Sequence, residues 1–184
     1  MIIDFHAHIY PEKIATKATQ AIGDFYNTSM TYNGSIIELL NSGKKIGVEK
    51  YIVHSTATKA EQVESINNFI IGEVQAHPEF IGFGTIHPDY KNFENELDRI
   101  YKANLKGIKI HPDFQKFLID DEKAYKIKAT ASSMATIPRT VVVRGPRVLF
   151  SRKTSVVAAG AVAEEIEPRI KPSARDVLIS FVNR

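Results

Sequence analysis

Parallel strands alternating with helices, an α/β fold, are predicted by three features of the chain. Four apolar segments begin near residues 2, 51, 80 and 107, and stretches of helical periodicity separate them. The last two spacings, 29 and 27 residues, suit strand-helix-strand units, because parallel neighbours need a long crossover between them. Polar residues also recur where each strand should end: His6 and His8, then His54, then His87, then Lys109 and His111. An open doubly wound sheet and a (β/α)8 barrel both fit this alternation. Doubly wound nucleotide binders carry a phosphate-cradling glycine loop after their first strand, and none stands here. Polar groups repeated at C-terminal strand ends are what a barrel active site requires.

The first strand is Ile2-Ile3-Asp4-Phe5-His6-Ala7-His8. Alternation sends His6 and His8 to one face and Phe5 and Ala7 to the other. Two imidazoles on one rigid strand suit a divalent ion such as zinc, and a hydrogen-bonded pair at a strand end is the plainer alternative. Residues 11–34 hold Pro11, Gly23, Asn27, Asn33 and Gly34 around a helix near 14–22, a long excursion of the kind that can cover a site. Ser35 caps a helix through residue 45, with Glu38 in capping-box register and Gly47 as its stop. Residues 50–54 make the second strand. Residues 60–76 then make a helix with Val63, Ile66, Phe69, Ile70 and Val74 on one side. A third strand follows at 80–86 and a helix at 93–103, where Phe93, Leu97 and Ile100 face inward. The fourth strand is 107–112, and Asp120-Asp121-Glu122 opens another helix with acids at its positive end.

Composition narrows the chemistry. The 184 residues contain no cysteine, so disulfides and thiolate metal sites are excluded and any ion must be held by His, Asp, Glu or modified Lys. Residues 1–15 hold Asp4, two histidines and Glu12 where a signal peptide would be apolar, and no apolar run reaches spanning length. A cytoplasmic location with no membrane contact is expected. The net charge of +3 hides an asymmetry: residues 1–127 carry 14 Lys+Arg against 17 Asp+Glu, whereas 128–184 carry 10 against 4. Seven of the eight arginines and none of the seven tyrosines fall in the second part. A compositional boundary is therefore placed near residue 127. The Arg-rich tail lacks interleaved aromatics, so no nucleic-acid partner is expected.

The ordered set Asp4-Phe5-His6-Ala7-His8, Val53-His54-Ser55, Gly84-Thr85-Ile86-His87-Pro88 and Gly107-Ile108-Lys109-Ile110-His111-Pro112 resembles the first half of an amidohydrolase-superfamily protein. The branch it is most similar to includes aminocarboxymuconate-semialdehyde-type decarboxylases and related metal-dependent hydrolases of the TIM-barrel fold. The resemblance covers residues 1–127 and implies a half barrel of four βα units in which His6 and His8 bind a catalytic metal, zinc by preference. It implies a small-molecule substrate, a carboxylate, ester or amide, attacked by metal-activated water, or else decarboxylated. Lys109 and His111 are assigned to substrate binding. A carbamylated, metal-bridging Lys109 is the alternative for the first, and a turn histidine for the second, held extended by Pro112. His54 and His87 read as supporting or turn residues, and His77 as structural.

The resemblance also implies a proton-transferring histidine and aspartate from later strands. Residues 128–184 contain no histidine and a single aspartate, Asp176. They offer apolar runs at 140–143, 147–150 and 156–163, and a short strand or helix at 176–182. A separate domain, a disordered basic tail and an out-of-frame continuation all fit that segment. The expectations that follow are an incomplete site with weak or no activity, and an open edge at the fourth strand. Such an edge favours self-association, giving a homo-oligomer or a non-catalytic binding module.

Overall fold

Four strands run parallel, and each lies beside the one before it: β1 (Ile2–His8), β2 (Val48–His54), β3 (Phe80–Thr85) and β4 (Gly107–Ile110). That order decides between the two expected architectures. A doubly wound sheet reverses direction at a switch point, whereas a barrel adds each strand on the same side. The sheet is the first half of a (β/α)8 winding. The computed structural model describes residues 2–118 and 120–134, with three short strands at Val143–Arg144, Val177–Ser180 and Arg147–Val148. The runs expected at 140–142, 149–150 and 156–163 lie outside the described residues, as does most of the compositionally distinct segment 128–184.

The helices are α1 (Glu12–Tyr26), α2 (Ile36–Ile46), α3 (Val63–Ala76), α4 (Phe93–Lys102), α5 (Pro112–Gln115) and α6 (Glu122–Met134). Local chemistry sets their ends. Ser35 Oγ accepts from Glu38 N, one half of a capping box, but the Glu38 carboxylate accepts from Asn33 N and not from Ser35 N. Gly47 closes α2 in the left-handed region at φ 75°, where a Cβ is strained. Helix α1 runs four residues beyond its expected end, to a left-handed Asn27. The one-turn helix α5 was not legible from periodicity, because four residues cannot display a helical period.

The two faces of the sheet differ. Tyr51, Val53, Phe80, Ile108 and Ile110 join Val63, Ile70, Leu97, Ile100 and Ile127 in one core between strands and helices. Full burial of each aliphatic side chain there contributes about 1.5–3 kcal/mol. Gly84 makes the close approach possible: a Cβ on it would lie 2.8 Å from Ile100 Cδ1 and 3.1 Å from Asn67 Oδ1. Alternation places Ile52, Ile81 and Phe83 on the opposite face, where they form a separate small cluster. His54 and Lys109 share that inner face, being two residues from Ile52 and in register with Thr85 respectively.

The edge of β4 is not open. Val177–Ser180 forms β7 and pairs antiparallel with it, Ile108 opposite Ile179. This corrects the expectation of an exposed fourth strand: a ladder of unpaired backbone donors and acceptors is satisfied by a strand from the same chain. β5 (Val143–Arg144) and β6 (Arg147–Val148) form a separate two-stranded ribbon.

Candidate metal centre

β1 does not keep strict alternation. Asp4 pairs with Tyr51 and Ala7 with Val53, so three steps on β1 match two on β2 and an extra residue is accommodated between them. A bulge of this kind re-aims side chains and frees a backbone group. Asp4 takes up the freed donor, its Oδ1 accepting from His6 N at 3.0 Å. After the bulge, register is regained with His8 opposite His54. Phe5 and Ala7, expected on one face, differ in environment: Ala7 is buried in the core, whereas the Phe5 side chain is about half exposed at 51%. β1 ends the strand order, and no partner strand covers its far side among the described residues.

The bulge and the register bring three imidazoles together. His6 Nε2 and His8 Nε2 lie 3.1 Å apart. The His54 ring plane is nearly perpendicular to both, with centroids 4.6 Å from His6 and 4.4 Å from His8. One nitrogen from each ring falls within 4.8 Å of the others. His54 is fully buried, His8 half-buried and His6 exposed, so the group opens from the sheet toward solvent. Tyr10 Oη approaches His8 Nδ1 at 3.4 Å and stacks beside its ring.

These residues fit a divalent transition ion. Zinc binds imidazole nitrogen at about 2.0–2.1 Å, so two nitrogens on one tetrahedral ion stand about 3.3 Å apart. The observed 3.1 Å is close to that value and also suits an N–H···N hydrogen bond when no ion is bound. Sequence reasoning pairs His6 with His8 and leaves His54 in a supporting role, whereas the structure sets all three rings together. The missing signal is the bulge, which sets His54 opposite His8 and which nothing in the local sequence announces.

Lys109 and His111 lie elsewhere on the rim. Lys109 is fully buried on β4, and its carbonyl accepts from Thr85 Oγ1 at 3.0 Å. His111 is buried at the start of α5, extended at φ −135° as Pro112 demands. Its Nε2 is 3.0 Å from Tyr26 Oη, and its Nδ1 faces Phe114 N at 3.5 Å. With Nδ1 accepting, the neutral ring donates from Nε2 to the tyrosine oxygen. The excursion after β1 thus reaches across the strand ends: Phe25 and Tyr26 pack on Phe114 at centroid distances of 4.5 and 5.8 Å. His111 is not one of the three converging imidazoles.

The remaining histidines, His87 and His77, are engaged by neighbouring backbone and acidic groups. His87 is buried, and its Nδ1 accepts from Asp89 N at 3.1 Å. Burial pushes its pKa below the usual imidazole value, against the opposing pull of Asp89. Asp89 is held below the ordinary carboxylate range by its hydrogen bond and ion pair with Lys123. His77 caps α3 between Glu73 and Glu79, 3.6 Å from each.

No protein-family profile matches the sequence, and no curated protein matches it. Among solved structures the backbone is similar to a probable 2-pyrone-4,6-dicarboxylic acid hydrolase from Acinetobacter baumannii, a structure with citric acid bound. The identity is 13% and the TM-score 0.49, over 73% of this chain and 46% of that one. This chain therefore spans about half the length of that neighbour. No helix among the described residues is long and apolar enough to cross a membrane.

Proposed function

We propose that the chain carries the metal-holding part of an amidohydrolase-type site, acting on a small carboxylate, ester or amide. The observation that carries this reading is the convergence of His6 Nε2 and His8 Nε2 at 3.1 Å on the rim of a parallel half barrel. A zinc-type ion held there supplies Lewis acidity and lowers the pKa of water toward neutrality. His6 and His8 hold and orient that ion. Lys109, buried on the inner face of β4, supplies positive charge for an anionic substrate group. His111 lines the same rim with Tyr26 fixing its ring. Hydrolysis is the leading reading, and decarboxylation by the same constellation is the alternative.

The test is turnover of small lactones and carboxylate esters by the zinc-loaded chain, with acid release and carbon dioxide release followed separately. Slow turnover that a chelator removes, and that His6→Ala also removes, is the expected result. Turnover indifferent to both would sink the metal-dependent reading. Stoichiometric zinc uptake without turnover of either kind would favour a binding module.

A further inference from the structure

We infer that His54 is a third metal ligand, so that β1 and β2 alone supply a complete three-imidazole face. This rests on the reading of His6 and His8 as ligands and extends it to a residue that looks like a supporting group from sequence. Three observations carry it. His54 is the in-register partner of His8, so its side chain leaves the sheet on the same side. Its ring plane is nearly perpendicular to both of the other two, at 4.6 and 4.4 Å between centroids. Donor nitrogens of all three rings fall within 4.8 Å, a spread that small side-chain rotations close around one ion.

The donor set also specifies the class of ion. Among the described residues the set holds three neutral imidazoles and no carboxylate, which favours zinc, copper, nickel or cobalt over magnesium or calcium, ions that require oxygen ligands. Neutral ligands leave the ion's full double charge in place. With buried Lys109 on the same face of the sheet, that charge selects an anionic substrate. The gradient from buried His54 to exposed His6 leaves the solvent side of the set open, as in catalytic sites with three protein ligands.

The experiment is X-ray absorption at the zinc edge on the intact chain loaded with one equivalent of zinc, supported by competition titrations of His54→Gln. Three imidazoles in the zinc shell are expected. The His54→Gln chain should bind zinc more than about 100-fold more weakly, because removing a merely supporting partner costs about 10–100-fold. Two imidazoles in the wild-type shell would overturn the inference and leave the His6–His8 reading standing. Failure of the wild-type chain to take up zinc would overturn both. Since His54 is fully buried, the absorption measurement on the unmutated chain decides the matter even if the variant does not fold.

Discussion

The rim of this half barrel is built in two ways. Around the ends of β3 and β4, the amides of Asn67 and Gln115 are consumed in holding the backbone. Asn67 of α3 accepts from Thr85 N at 2.6 Å and donates to Thr85 O at 3.0 Å and to Glu96 Oε1 at 2.6 Å. Buried Glu96 is gripped in turn by Arg99 at 2.7 and 2.9 Å, and that bond holds the guanidinium pKa above its usual value. Gln115 ties three loops together: its side chain accepts from His111 N at 2.7 Å and donates to Ala57 O at 2.8 Å and Ile86 O at 2.9 Å. At the ends of β1 and β2 the polar groups instead face each other as three rings, and the backbone is joined mainly by Ser55 Oγ donating to Ile9 O and by the ladder itself. A polar residue at a strand end can therefore be either a fastener or a chemical group. What separates the two is whether its donors are aimed at main-chain atoms or at other side chains.

This contrast breaks most readily at Asn67. Asn67→Ala removes the side-chain partner of both main-chain groups of Thr85 and leaves Glu96 Oε1 held by Arg99 alone. A loss of about 3–4 kcal/mol in denaturant unfolding is expected. Gln115→Ala leaves three buried main-chain groups without their partner and should cost about 2–3 kcal/mol by the same measurement. A change below about 1 kcal/mol at either site would show that the β3–β4 rim is not held as described.

Acid titration gives a smaller effect with a definite sign. Burial lowers the pKa of His87 in the fold, so between the folded and unfolded values the unfolded chain binds more protons. The contribution is complete above the unfolded histidine pKa of about 6.5. It is lost as pH falls from there through the folded value. His87→Gln should flatten that part of the stability profile, and an unchanged slope below pH 6.5 would contradict the assignment. The smallest effect is expected at the other rim: His6→Ala, at an exposed ring, should alter unfolding stability in metal-free buffer by no more than about 0.5 kcal/mol. A larger loss would make His6 a fastener after all.

Much of the fold was legible because period and punctuation agree. The Ser35 and Gly47 signals bound α2 within a residue of its observed ends, and Phe93, Leu97 and Ile100 mark the buried side of α4. The site was legible only where it is local. His6 and His8 are two residues apart on one strand, so their meeting needs no knowledge of the sheet. His54 joins them through the bulge and the register of β1 on β2, which are set by pairing across 46 residues. The Asn67 and Gln115 fasteners were missed for a related reason. An amide on a helix carries no sign of which main-chain groups it will meet, and α5 is too short to show a period. The antiparallel β7 is non-local again, its partner strand lying some seventy residues earlier in the chain.

On the proposed reading, the rings of β1 are metal ligands and not a self-contained hydrogen-bonded pair. Equilibrium dialysis of the intact chain against zinc, with the metal then counted per chain, tests it most directly when the His6→Ala/His8→Ala double variant is run alongside. About one ion per chain is expected for the wild type and none above background for a variant that remains folded by circular dichroism. A metal-free wild type, or a folded double variant that retains the ion, would contradict it.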